Sequence, residues 1–150
     1  MLINTKHFGE IDISEEEILT FPDGIYGFEN SHRFALLTDV EGENVFMWLQ
    51  SIDDGDLCFV VISPAVVAPE YSPRISEKSL KTINAGPDLH LLTIVVLYDD
   101  VTKSTVNLQS PIIINMEEKL AVQEVLDSSI EPNGNYKTRH PLFDAEEESC

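Results

Sequence analysis

The sequence predicts a mainly β fold: a small antiparallel β-barrel-like domain with one short helix. Three observations carry this. Apolar residues fall in short runs, several alternating with polar ones, and Gly, Pro, Asn and Asp separate them. Residues 75–83 are the one stretch with helical spacing of ordinary length, so no strand–helix–strand alternation calls for a parallel sheet. In Thr105–Asn115, Val106 and Leu108 alternate with Asn107 and Gln109 before Ser110-Pro111, and Ile112-Ile113-Ile114 follows as a strand buried on both faces. Pro gives no N–H to a ladder, so this pair of strands reads as a sheet turning a corner and closing on itself.

In chain order, Leu2–Phe8 and Glu10–Ile13 flank Gly9 as a first hairpin. Ser14 stands three residues before Glu17, the capping-box spacing, and is expected to open a helical turn carrying Ile18 and Leu19. Phe21–Glu29 is a turn-rich loop with one Pro, two Gly and three aromatics. Arg33–Thr38, Val45–Ser51 and Leu57–Ser63 read as successive strands. The link Ile52–Asp56 concentrates carboxylates but lacks the alternation and closing Glu of a calcium loop, so it reads as a hairpin turn. Pro64–Pro73 is an extended crossover. Ser76 is the N-cap of the helix, Ile75, Leu80 and Ile83 share a face of it, and Gly86-Pro87 is its stop. Leu89–Tyr98 is a strongly apolar strand followed by an Asp99-Asp100 turn, and Lys119–Asp127 a further strand. Ser128–Asn135 is a polar loop and Tyr136–Phe143 an extended end. About eight or nine short strands result. Residues 1–143 form the β domain, and 144–150 an acidic mobile tail.

Twenty-seven acidic against nine basic residues give a formal net charge of −18 and a pI near 4.3. Such a field repels phosphate backbones and anionic membranes, which argues against direct nucleic-acid or membrane binding. It favours cationic partners, including the basic surface of a nucleic-acid-binding protein; solubility alone is the blander account of the same charge. Cys58 lies in an apolar run as a small buried hydrophobe, and Cys150 ends a polar tail. Two cysteines make no disulfide framework, and no signal peptide or membrane-length apolar run is visible, so the sequence reads as cytoplasmic.

The chemistry of a catalyst is not apparent. There is no Gly-rich phosphate loop, no G-x-S-x-G and no H-E-x-x-H. His7, His32, His90 and His140 are scattered without ligand spacing, so no metal, cofactor or small-molecule substrate is implied. A carboxylate dyad cannot be picked out among so many acids. Partner binding is better supported, by the aromatic loop around Tyr26 and Phe28 and by the C-terminal end. There Tyr136, Lys137, Arg139, His140 and Phe143 lead into Asp144, Glu146, Glu147 and Glu148. Four carboxylates and no cation in 144–150 can steer association with a basic partner, an effect salt weakens, or can simply solubilise a terminus.

The ordered set Phe21-Pro22-Asp23-Gly24-Ile25-Tyr26-Gly27-Phe28-Glu29, Trp48-Leu49-Gln50-Ser51, Leu57-Cys58-Phe59-Val60-Val61, Val106–Asn115 and Tyr136-Lys137-Thr138-Arg139-His140-Pro141-Leu142 resembles the flagellar assembly factor FliW family of bacteria. Ser110 departs from the small apolar residue expected before the Pro, and residues past Phe143 match no pattern. The resemblance implies a cytoplasmic, non-enzymatic protein with a small β-barrel-like fold and two protein partners. One is flagellin. The other is CsrA, an RNA-binding repressor of flagellin translation, which the protein holds away from the flagellin message until unexported flagellin displaces it.

On that resemblance the acidic end, Asp144, Glu146, Glu147 and Glu148, with Glu117 and Glu118, is expected to face positive residues of CsrA. The acids either cover the RNA site or repel RNA from beside it. For flagellin, whose terminal segments are amphipathic helices, the expected mode is helix-in-groove. Tyr26, Phe28, Val66, Val67 and Tyr71, which lie in predicted loops, are the candidate contacts, and equally good residues for capping the core. The alternatives are a flagellin chaperone with no translational role and an enzyme with an unrecognised carboxylate site.

Overall fold

The computed structural model describes residues 1–38 and 46–142. The predicted tail 144–150 and Val45 of the second central strand lie outside the described residues.

β1 (Leu2–Thr5) and β2 (Gly9–Asp12) form the expected hairpin, with Gly9 at φ 68° where a side chain would be strained. Its Ile3 and Ile11 pack with Ile13, Ile18, Ala35 and Ile52 on the outside of the main sheet. Ser14 and Glu17 make the capping box, but the turn they cap, Glu15–Glu17, is a single 3-10 turn. Ile18 and Leu19 do not ride on it. They open β3 (Ile18–Thr20), because period-2 burial against β4 (Arg33–Thr38) satisfies their side chains and backbone together. β5 (Met47–Ser51) and β6 (Cys58–Ile62) continue the antiparallel meander. In the turn between them the Arg33 guanidinium pairs with Asp53, and Gly55 lies so close to β1 that a Cβ would sit 2.0 Å from the Asn4 carbonyl. Cys58 is half-buried rather than fully buried, and that burial raises its thiol pKa.

The crossover begins with a 3-10 turn at Pro64–Val66 and leads to α1 (Glu77–Thr82), N-capped by Ser76 as expected. The helix is shorter than the spacing predicts. It stops at Asn84, which takes φ 51°, two residues before Gly86-Pro87; Asn tolerates the left-handed region and ends the helix there. β7 (Leu89–Val96), β8 (Thr105–Val106), β9 (Ile112–Asn115), β10 (Leu120–Gln123) and β11 (His140–Pro141) follow.

Seven strands close a barrel in the order β7-β6-β5-β4-β3-β10-β9 and back to β7. All neighbours are antiparallel except β3 and β10, which meet in parallel at Thr20 and Leu120. Phe21, Phe34, Leu49, Val61, Leu92, Ile112 and Ile114 fill the interior. Ile113 points out instead, under Ile83 and Val122 beside α1, so the isoleucine run is buried on both faces as its sequence predicts.

β7 serves two partners. Leu89–Leu92 pairs with β9 and closes the barrel, while Val95-Val96 pairs with β8, which β11 then extends. The residues between β8 and β9 form the predicted Pro-marked corner. Asn107 Oδ1 accepts the N–H groups of Gln109 and Ser110, each at 3.1 Å, and so bends the chain.

Candidate partner-binding groove

Among the described residues, the corner leaves part of the sheet uncovered. Leu92, Ile94 and Val96 share the inward face of β7. Leu92 lies in the core, Ile94 is half-buried, and Val96 is 47% exposed, because β9 has turned away at the corner and, among the described residues, no segment packs over this face beyond it. The inward face of the barrel therefore runs out into a mouth.

One rim of that mouth is the Phe21–Glu29 loop. Phe21 and Ile25 are buried and anchor it, and Gly24 takes φ 70° where a Cβ would meet the Glu29 backbone at 2.6 Å. Ile25 and Phe28 bond to each other across a tight turn, which pushes Tyr26 outward to 62% exposure. Phe28 stacks edge-on against Phe59 with ring centroids 5.4 Å apart. Buried Gln123 fixes loop to corner: its Oε1 accepts the Tyr26 N–H at 3.0 Å and its Nε2 donates to the Ser110 carbonyl at 3.3 Å. After Gln123 the chain runs along the corner, with Glu124 N–H donating to the Pro111 carbonyl and Leu126 N–H to that of Gln109, which leaves Val125 outside. The result is a groove of about 670 Å³ lined by Tyr26, Phe59, Ile94, Val96, Tyr98 and Val125, with polar edges that include Thr105, Asn107 and Arg139. Exposed aromatic and aliphatic side chains gathered in one concavity make this mouth the candidate binding surface.

Of the sequence candidates, Tyr26 lines this mouth, and Phe28 packs against Phe59, which also lines it. Val66, Val67 and Tyr71 do not join them. They belong to the crossover that covers the outward face of β6 and β7, where Val67 and Tyr71 pack against Ile62, Val95, Val106 and Leu108. Tyr71 donates its hydroxyl to the Leu108 carbonyl at 2.6 Å and sets its ring against Tyr136; burial raises its phenol pKa. Only Val66 of the three is well exposed. Glu117 and Glu118 sit in the turn after Asn115, whose Oδ1 accepts both their N–H groups, and Glu118 accepts from Asn84 Nδ2 at 2.6 Å. Asn115 pairs with Leu89, so this turn is roughly 20 Å along β7 from the mouth. Asp144, Glu146, Glu147 and Glu148 lie outside the described residues. Val96, Tyr98 and Val125 were not singled out by sequence; the signal was present in Leu89–Tyr98, a run longer than the strand that follows the corner can cover.

The FliW family model, "FliW protein", matches residues 2–142. The chain belongs to the FliW family. Among its relatives, the flagellar assembly factor FliW of Caldanaerobacter subterraneus is 44% identical, with 96% of this chain and 94% of the relative covered. That of Thermoanaerobacter pseudethanolicus is 40% identical over 96% and 94%, and that of Ruminiclostridium cellulolyticum 36% over 96% and 95%. A crystal structure of the flagellar assembly factor FliW superimposes with a TM-score of 0.83 at 35% identity, covering 96% of this chain and 98% of that one. Membership places the chain among flagellar assembly factors, a family not known for catalysis, and the FliW barrel is the fold described above. No helix among the described residues is long and apolar enough to cross a membrane.

Proposed function

We propose that this FliW-family chain is a non-enzymatic partner-switching regulator in the cytoplasm, binding flagellin and CsrA in turn. While it holds CsrA, the flagellin message is translated; when flagellin occupies it, CsrA is free to repress. The observation that carries the proposal is an apolar barrel mouth on a chain of net charge −18. A helix of flagellin can lay its apolar stripe on Val96, Tyr98, Val125 and Tyr26, the mode by which amphipathic helices enter grooves. An RNA-binding repressor must itself be basic, and a strongly acidic chain suits such a surface. Glu117 and Glu118 with the tail acids Asp144, Glu146, Glu147 and Glu148 are the proposed CsrA contacts.

The test is titration of this protein into CsrA bound to labelled flagellin leader RNA at two salt concentrations. RNA release that weakens at high salt is expected. No release, together with no CsrA binding by calorimetry, would leave a flagellin chaperone without a translational role. Neutralising Asp144, Glu146, Glu147 and Glu148 together should slow association with CsrA and flatten its salt dependence. An unchanged association rate in stopped-flow would remove the tail from the mechanism.

A further inference from the structure

The barrel mouth differs in charge from one end to the other. Toward α1 it continues into a trough that shares Tyr26, Gln123 and Val125 with it and carries the carboxylates of Asp23, Glu29 and Asp127. Glu124 also lines the trough, and its carboxylate accepts from Ser76 and Ser79 at the start of the helix. Lys78 is the one cation lining the trough among the described residues. Ser129 donates to Asp127 through both its hydroxyl and its N–H, which holds that carboxyl below the usual carboxylate range. Glu29 Oε1 accepts the Gly27 N–H at 3.3 Å, an exposed contact that leaves its charge at the rim. At the other end of the mouth stands Arg139, exposed and in no ion pair among the described residues.

An α-helix carries about half a positive charge at its N-terminus and half a negative charge at its C-terminus. A groove acidic at one end and cationic at the other therefore distinguishes the two directions in which a helix can lie. We infer that the mouth fixes the direction of the amphipathic helix it receives, with the helix N-terminus over Asp23, Glu29 and Asp127 and its C-terminus toward Arg139. Basic residues in the first turn of the helix and acidic ones in its last turn strengthen the preference. This rests on the helix-binding reading above and adds to it the orientation and end charges of the partner. Both ends acting together favour one direction by on the order of tenfold.

Peptides covering the terminal helices of flagellin, each carrying a nitroxide at one end or the other, test this against the isotopically labelled full chain. The N-terminal label should broaden the amides of Asp23, Gly24 and Asp127, and the C-terminal label those of Tyr98, Thr105 and Arg139. The reversed pattern, or equal broadening of both sets by both labels, overturns the inference. Replacing Asp23→Asn, Glu29→Gln and Asp127→Asn together should weaken the peptide about fivefold and blur the directional pattern, leaving only the bias from Arg139. Unchanged affinity with an unchanged pattern also overturns it. Failure of the underlying reading looks different: neither label broadens any mouth amide, while flagellin binds Val96→Ser and Tyr98→Ser variants as well as it binds the parent chain.

Discussion

The two faces of β7 are built from similar residues and meet opposite fates. On the outward face, Val95 lies beneath the crossover and the C-terminal segment, with Val67, Tyr71 and Tyr136 packed around it. On the inward face, Ile94 and Val96 outrun the barrel and stay partly open. Hydrophobicity alone does not separate them. What separates them is whether the chain supplies a lid: among the described residues, two segments pack on the outer face and none over the mouth. An apolar residue covered by its own chain contributes stability; the same residue left open contributes a surface for something else.

The largest expected effect is on the covered face. Ile62→Ala, at a fully buried site, should cost about 2–5 kcal/mol in denaturant unfolding. Val96→Ser on the open face should leave stability within about 0.5 kcal/mol and weaken flagellin binding. A Val96 variant as destabilised as the Ile62 one would erase the distinction. Gln123→Ala falls between them. It strips the Tyr26 N–H and the Ser110 carbonyl of their partner, so a loss of about 1–3 kcal/mol and faster hydrogen exchange at the Tyr26 amide are expected. Exchange as slow as in the parent chain would show that the loop holds itself.

The smallest effect lies away from both faces. Arg33 holds the Asp53 carboxyl below its ordinary range, chiefly through a hydrogen bond. A depressed carboxylate pKa stabilises the fold above the unfolded value, and that contribution fades as pH falls through the folded one. The pair is exposed, so Arg33→Gln should cost less than about 0.5 kcal/mol. In an NMR titration it should move the Asp53 midpoint up to the ordinary range.

Strand positions were legible because alternation and turn residues are local signals; Thr105–Asn115 showed the corner through one proline and the change from alternating to continuous apolar residues. The helix stop was misplaced because Asn84 in the left-handed region is a weaker sequence signal than Gly86-Pro87. Ile18 and Leu19 went to a strand because long-range pairing with β4 outweighs one capped turn. Tyr26 was legible as an outlying aromatic in a Gly-flanked loop. Val96 and Val125 were not, because their exposure depends on where β9 leaves β7, and no local pattern reports what fails to cover a residue. Tyr71 shows the converse: a loop aromatic that the sequence leaves equally suited to a contact or to capping the core is held down by a partner, Leu108, 37 residues away.

The hydrogen bond from Tyr26 to Gln123 spans 97 positions of the sequence, and the one parallel pair of the barrel joins residue 20 to residue 120. Both steps need nearly the whole chain. During synthesis, a chain released short of Gln123 can make the first hairpin and the β4–β6 meander but has no mouth to offer. A fragment from premature termination therefore lacks the groove together with the closed barrel.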